Sequence, residues 1–349
     1  MEKKIVSSSI GPNQLTTNEI MSQYTSFYEI NTGEASIKKA FEYVKVHRKS
    51  LAMSIVYLVF PVLALNAILY FFLIMQNFFN VSSLGSTAVF QQMLLSYLGM
   101  MVVGFFSFAM LLSVVFLHIK ISSEKGFYTP LTVQDVWLRF KIEAKRVLVN
   151  YFIMALFHSF VFWVGVLLLF LAMFAVVAFF IATHIFVLNV IGFILSVFIV
   201  LFFGSYMMGV FSLNAFMVVF EKENAIHLFG KALKMVGKNA KNFWQTIWTS
   251  IVGVLSIYMF YSLVMVPVGV IMSLNQTFLQ LGDYSQILTI ISVVSLVGMF
   301  VSPFLISLSL TLSGFLYFTL EENAYHKSLY ERINRIGETE EKDALYDFS

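Results

Sequence analysis

His158 stands in the middle of an apolar run, where a neutral imidazole could pass a proton or hold a metal. No His, Asp or Glu accompanies it at helical spacing, so a metal centre is not expected. The other polar side chains inside apolar segments are Asn66, Ser159, Asn189, Asn214 and a row of hydroxyls, Ser302, Ser307, Ser309, Thr311 and Ser313. Asn66, His158, Asn214 and Ser309 form the set that could line a polar pathway, and hydrogen bonds between helices account for the same residues without any ligand. His118 lies at the end of an apolar run, six residues before Glu124, a spacing that puts the two on different sides of a helix. It reads as a loop histidine at the level of lipid head groups.

Signatures of catalysis are missing from the chain. It has no His-Glu-x-x-His, no Gly-x-Ser-x-Gly, no Gly-x-x-x-x-Gly-Lys and no paired carboxylates within an apolar segment. With no cysteine, thiol nucleophiles, zinc-thiolate sites, iron–sulfur clusters and disulfides are all excluded. No cofactor is expected, and an enzymatic reading would have only His158 or His118 to serve as a base.

A second kind of candidate is a pattern of lysines. Over 226–244, Phe229, Leu233, Val236, Ala240 and Phe243 recur at helical spacing, while Lys231, Lys234, Lys238 and Lys241 recur on the opposite face. Residues 37–49 repeat the arrangement, with Ile37, Phe41 and Val44 set against Lys38, Lys39, Lys45 and Lys49. Residues 136–147 do so again, with Val136, Phe140, Ala144 and Val147 set against Arg139, Lys141, Lys145 and Arg146. Helices of this kind lie in a membrane interface and favour anionic lipids, so these twelve cations are the candidate lipid- or partner-binding face. A bracing role, with the cations placed by topology alone, remains open beside it. No nucleic-acid partner is expected.

The elements that carry these residues belong to a membrane protein. Of 349 residues 59% are apolar and 12% charged, against about 25% charge in a soluble domain. The mean hydropathy is +0.84. Residues 147–220 hold no charge at all, a run that as one helix would exceed a ~30 Å hydrocarbon core several times over. It must turn back near Thr183, His184 and Asn189. Six spans are expected, at about 51–75, 93–117, 149–181, 188–219, 246–273 and 287–318. None contains Asp, Glu, Lys or Arg, which disfavours ion-coupled transport through a buried carboxylate. Pro61, Pro267 and Pro303 interrupt three of the spans, and Gly99, Gly104, Gly204, Ser205 and Gly209 mark packing seams.

All 22 Lys and Arg residues fall in 1–50, 118–148, 221–245 or the tail after Thr319, and none falls in the alternate loops. Both termini are therefore expected in the cytoplasm. Residues 1–35 are polar, lack a signal peptide and read as weakly ordered. Residues 36–319 form the membrane domain, and 320–349 combine an amphipathic helix with an acidic tail that could dock a cytosolic partner. Lys49, Arg146 and Lys241 are 97 and 95 residues apart, so the chain reads as three units, each a basic amphipathic helix followed by a membrane hairpin.

The segment Phe220-Glu221, Ala225, Lys231-Ala232-Leu233, Val236 and Lys241-Asn242-Phe243-Trp244 resembles the cytoplasmic loop of a broad group of bacterial six-span proteins. They include the YciC-like proteins and the membrane domain attached to some glycerophosphodiester phosphodiesterases. The resemblance implies a bacterial inner-membrane protein and transfers no catalytic residue, because this chain has no room for the phosphodiesterase barrel. The expected function is that of a non-enzymatic scaffold or accessory subunit acting through its cytoplasmic face and inner-leaflet lipids. The alternative is a transporter or lipid-translocating protein.

Overall fold

The computed structural model describes Phe27 and residues 33–79, 87–182, 186–279 and 284–325. These are helical throughout, apart from short turns, with no strand among the described residues. The helices are α1 (Gly33–Leu58), α2 (Phe60–Phe79), α3 (Thr87–Lys125), α4 (Val133–Ala182), α5 (Phe186–Phe220), α6 (Ala225–Gly237), α7 (Ala240–Leu279) and α8 (Tyr284–Tyr325).

Local chemistry explains the breaks. Pro61 sits in the first turn of α2, where its missing N–H costs least, and the axis bends by 49° between α1 and α2. Gly126 ends α3 with φ 111°, and its N–H donates to the Ser122 carbonyl at 2.8 Å. Only glycine takes that conformation cheaply. Thr132 then starts α4, accepting from the Asp135 N–H at 3.2 Å while the Asp135 carboxylate accepts from the Thr132 N–H at 2.8 Å. Inside α8, Pro303 cannot donate to the Met299 carbonyl, and the Ser302 hydroxyl donates to it instead at 3.1 Å.

Two of the three amphipathic stretches are not separate helices. Residues 37–49 run on through α1 and 136–147 run on through the 50-residue α4. No Gly or Pro follows either stretch to end it before the apolar run begins. Only α6 stands alone, because Lys238 and Asn239 break the chain and Asn239 caps α7 by accepting from the Asn242 N–H at 2.7 Å.

Four described stretches are long and apolar enough to cross a membrane: Tyr97–Lys125, Val133–Ala175, Val190–Phe220 and Leu296–Tyr325. The bent pair Glu34–Leu58 with Phe60–Phe72 makes a fifth. The span expected at 246–273 lies within α7, where the side chains of most residues beyond 259 fall outside the described ones. Likewise, the amphipathic and acidic tail is outside the described residues beyond Tyr325.

Burial divides each long helix into two parts. Toward the basic end, α1, α3, α4, α5, α6 and α8 meet in one core that includes Tyr43, Phe116, Tyr151, Phe216, Leu228 and Phe318. Phe216 is fully buried, with ring centroids 5.0 Å from Phe116, 4.5 Å from Phe220 and 5.0 Å from Tyr317. Phe27, from the segment expected to be loose, is buried against Phe127, Phe315 and Phe318. Away from this hub the helices expose their apolar side chains, as at Phe170 (65%) and Leu201 (61%). Among the expected seams, Gly209 is the tight one, since a Cβ there would fall 2.4 Å from Thr246 of α7. Gly99 and Gly204 have nothing within 4 Å of that position.

Candidate functional site

The chemistry-bearing side chains gather in the hub, and the first group is ionic. The last turn of α5 leaves its carbonyls without helical partners, and its dipole concentrates negative charge there. Lys120 of α3 donates to the Val219 carbonyl at 2.7 Å, and Arg146 of α4 donates to the carbonyls of Val218 at 2.8 Å and Glu221 at 2.9 Å. Glu143, one turn before Arg146, accepts from Lys120 at 3.2 Å and from Arg146 at 2.6 Å. Arg139 adds ion pairs to Glu143 at 2.8 Å and Glu124 at 3.0 Å. Three helices are thus fastened by one carboxylate, its cations and a helix end. α4 extends the contact, because Asn150 accepts from the Ala225 N–H at the start of α6 at 3.0 Å and Tyr151 donates to the Ala215 carbonyl at 3.2 Å.

Glu221 makes a second junction. It accepts from Lys231 of α6 at 2.6 Å and from Tyr317 of α8 at 3.2 Å. Burial pulls the Lys231 ammonium down, the Glu221 hydrogen bond outweighs it, and the pKa ends above the ordinary lysine value.

The third group centres on His118, and it corrects the expectation of a loop histidine. His118 is fully buried and lies inside a continuous helix, because α3 runs seven residues past it to Lys125. Its Nδ1 is 2.6 Å from Tyr43 Oη and its Nε2 is 3.0 Å from Ser50 Oγ, both on α1. Backbone acceptors fix the directions. His47 Nε2–H must donate to the Phe127 carbonyl at 2.7 Å, and Ser50 Oγ–H donates to the His47 carbonyl at 3.1 Å. Ser50 therefore accepts from His118 Nε2–H, and Tyr43 donates to His118 Nδ1. In that tautomer His118 cannot take the Ser50 proton, so this Ser–His contact is a clasp between α1 and α3 and not a nucleophile with its base. Tyr43→Phe is expected to leave Nδ1 unpaired and to lower stability by about 1–3 kcal/mol, read as thermal unfolding in detergent.

Of the four pathway candidates, two meet. Asn214 Nδ2 donates to His158 Nε2 at 2.9 Å, and the imidazole stacks on Phe211 with centroids 3.9 Å apart. Asn66 instead faces Gly104 of α3, with 3.8 Å from its Nδ2 to the position of a glycine Cβ. Ser309 faces Gly253 of α7. The set is divided among three helix contacts.

The basic residues divide as well. Arg139, Arg146 and Lys231 are held by the contacts above, and Lys238 donates to the Ala324 carbonyl and lies over the Tyr325 ring. Lys141 lies 4.8 Å from the centre of the Trp137 ring. Lys39 is half-buried, and Lys38, Lys45, Lys49, Lys145, Lys234 and Lys241 are exposed. Near them Trp137, Trp244 and Trp248 are also exposed.

No family model, curated protein or solved structure matches the chain. Its reading therefore rests on its own residues. Among the described ones, no three His, Asp or Glu side chains converge as metal ligands would.

Proposed function

We propose that this chain is a six-span protein of a bacterial cytoplasmic membrane, built as three hairpins with both termini in the cytoplasm. It works as a scaffold or accessory subunit, resembling the YciC-like group in layout. The observation that carries this reading is the contrast within the basic end. Buried charges there are consumed in joining helices, while Lys38, Lys45, Lys49, Lys145, Lys234 and Lys241 point outward with exposed tryptophans among them. Each such lysine contributes about 1 kcal/mol of attraction at an anionic leaflet. Tryptophan prefers the same level of the bilayer. A rigid, cation-rimmed platform of this kind holds lipids and a protein partner. The separation of Asn66, Ser309 and the His158–Asn214 pair favours the platform over a transport pathway.

The test is purification from native membranes in mild detergent, with proteins and lipids read by mass spectrometry. A stoichiometric partner is expected, lost when Lys38, Lys45, Lys145 and Lys234 are changed together to glutamine. The same protein in liposomes is expected to move neither solute nor lipid. A protein that purifies alone and yet carries flux or scrambles lipid overturns the reading.

A further inference from the structure

We infer that the groove between α5 and the start of α7 seats an acyl chain of an anionic phospholipid, with the lipid phosphate on Lys241. The inference rests on the membrane platform reading above and names one lipid site within it.

The groove holds about 390 Å³ and is lined by Phe198, Ile199, Phe202, Phe203 and Tyr206 of α5 and Phe243 of α7. The α5 residues recur every three or four positions and so form one face. Phe203 lies where α4 carries Gly165, and a Cβ there would come within 2.7 Å of the phenyl ring. At the other wall Phe243 stands 5.9 Å from Phe202 and 5.4 Å from Tyr206, centroid to centroid. The walls are apolar and open, and Phe198 and Ile199 are exposed.

Charge decides the occupant. Trp244 closes one edge of the groove, 5.4 Å from Phe202, and Lys241 lies three residues before it on the same side of α7. Lys241 is exposed, and among the described residues it makes no ion pair, unlike Lys120 and Lys231. Apolar wall, indole and uncompensated cation follow one another in the order of a phospholipid's chain, glycerol region and phosphate. A partner helix would cover the aromatic wall and leave the cation without a counter-charge.

The test uses the full chain in nanodiscs with phosphatidylglycerol or phosphatidylcholine bearing a photoreactive acyl chain, and the crosslinked residues are located by mass spectrometry. Phosphatidylglycerol is expected to label 198–206 and 243–244 more strongly than phosphatidylcholine does. Lys241→Gln, a change at an exposed side chain, is expected to lower that labelling about fivefold. It should lower phosphatidylcholine labelling less, because the choline cation already balances that lipid's phosphate. Ile199→Trp, which fills the groove, is expected to reduce labelling by both lipids. Equal labelling by the two lipids, label confined to other residues, or no response to Lys241→Gln overturns the site. Co-purifying protein is read from the same membranes, so absence of a partner defeats the scaffold reading while leaving the lipid result to stand or fall alone.

Discussion

Changing Glu143 to alanine is expected to lower stability by about 3–5 kcal/mol, the cost of leaving buried charges without their counter-charge. Glu143 and Lys120 are both buried, and Arg146 shares the same carboxylate. Without Glu143 the two cations keep only the carbonyls at the end of α5, where a helix dipole supplies about half a unit charge. A double variant separates charge from shape. Glu143→Leu combined with Lys120→Met is expected to recover part of the loss, because neither residue then requires a counter-charge and Arg146 keeps the Val218 and Glu221 carbonyls. Denaturant unfolding in mixed micelles measures both, and a Glu143→Ala variant as stable as the parent would show that the cluster does not fasten these helices.

Phe216→Ala is expected to cost a comparable amount, about 3–5 kcal/mol, because it opens a cavity where four aromatic rings meet. Phe170→Ala on α4 supplies the contrast. Its ring is exposed, so truncation leaves no internal cavity and the expected effect stays within about 0.5 kcal/mol. Equal losses at the two positions would mean that the hub and the arms are not different environments.

That difference in environment is what the sequence could not display. Residues 111–117 of α3 and 213–219 of α5 are buried on every side, although runs elsewhere in the chain that are just as apolar expose themselves. A helix apolar all round shows no periodicity to distinguish a protein neighbour from a lipid one. Long apolar helices, the separation of α4 from α5, and the amphipathic pattern of α6 were legible, because they depend on run length and local spacing. The joining of the amphipathic stretches to their spans in α1 and α4 needed the negative observation that nothing stops them.

Candidate sites were less legible still. Lys120, Glu143 and Glu221 lie outside the expected spans, and nothing in their spacing marks them as a cluster. Their partners come from residues as far as 99 positions away, as with Lys120 and the Val219 carbonyl, which no local spacing reveals. His158 was found by its type, but its hydrogen bond to Asn214 is 56 positions distant. A signal for His118 did exist, in that an uninterrupted helical run to Lys125 leaves no loop for it to occupy. Of the twelve cations singled out by pattern, helical spacing could not tell Arg146, which turns inward to the α5 carbonyls, from Lys145 beside it, which is exposed.

The central claim is that the basic end is a cytoplasmic hub and the apolar arms lie in lipid. The chain contains no cysteine, so single cysteines can be introduced without background. Lys145→Cys and Lys234→Cys report the hub, and Phe170→Cys and Leu201→Cys report the arms, each in intact and in inverted membrane vesicles. With a membrane-impermeant maleimide, the hub positions are expected to react only in inverted vesicles, and the arm positions in neither. Reaction of the hub cysteines in intact vesicles, or ready reaction of the arm cysteines in either, would contradict the account.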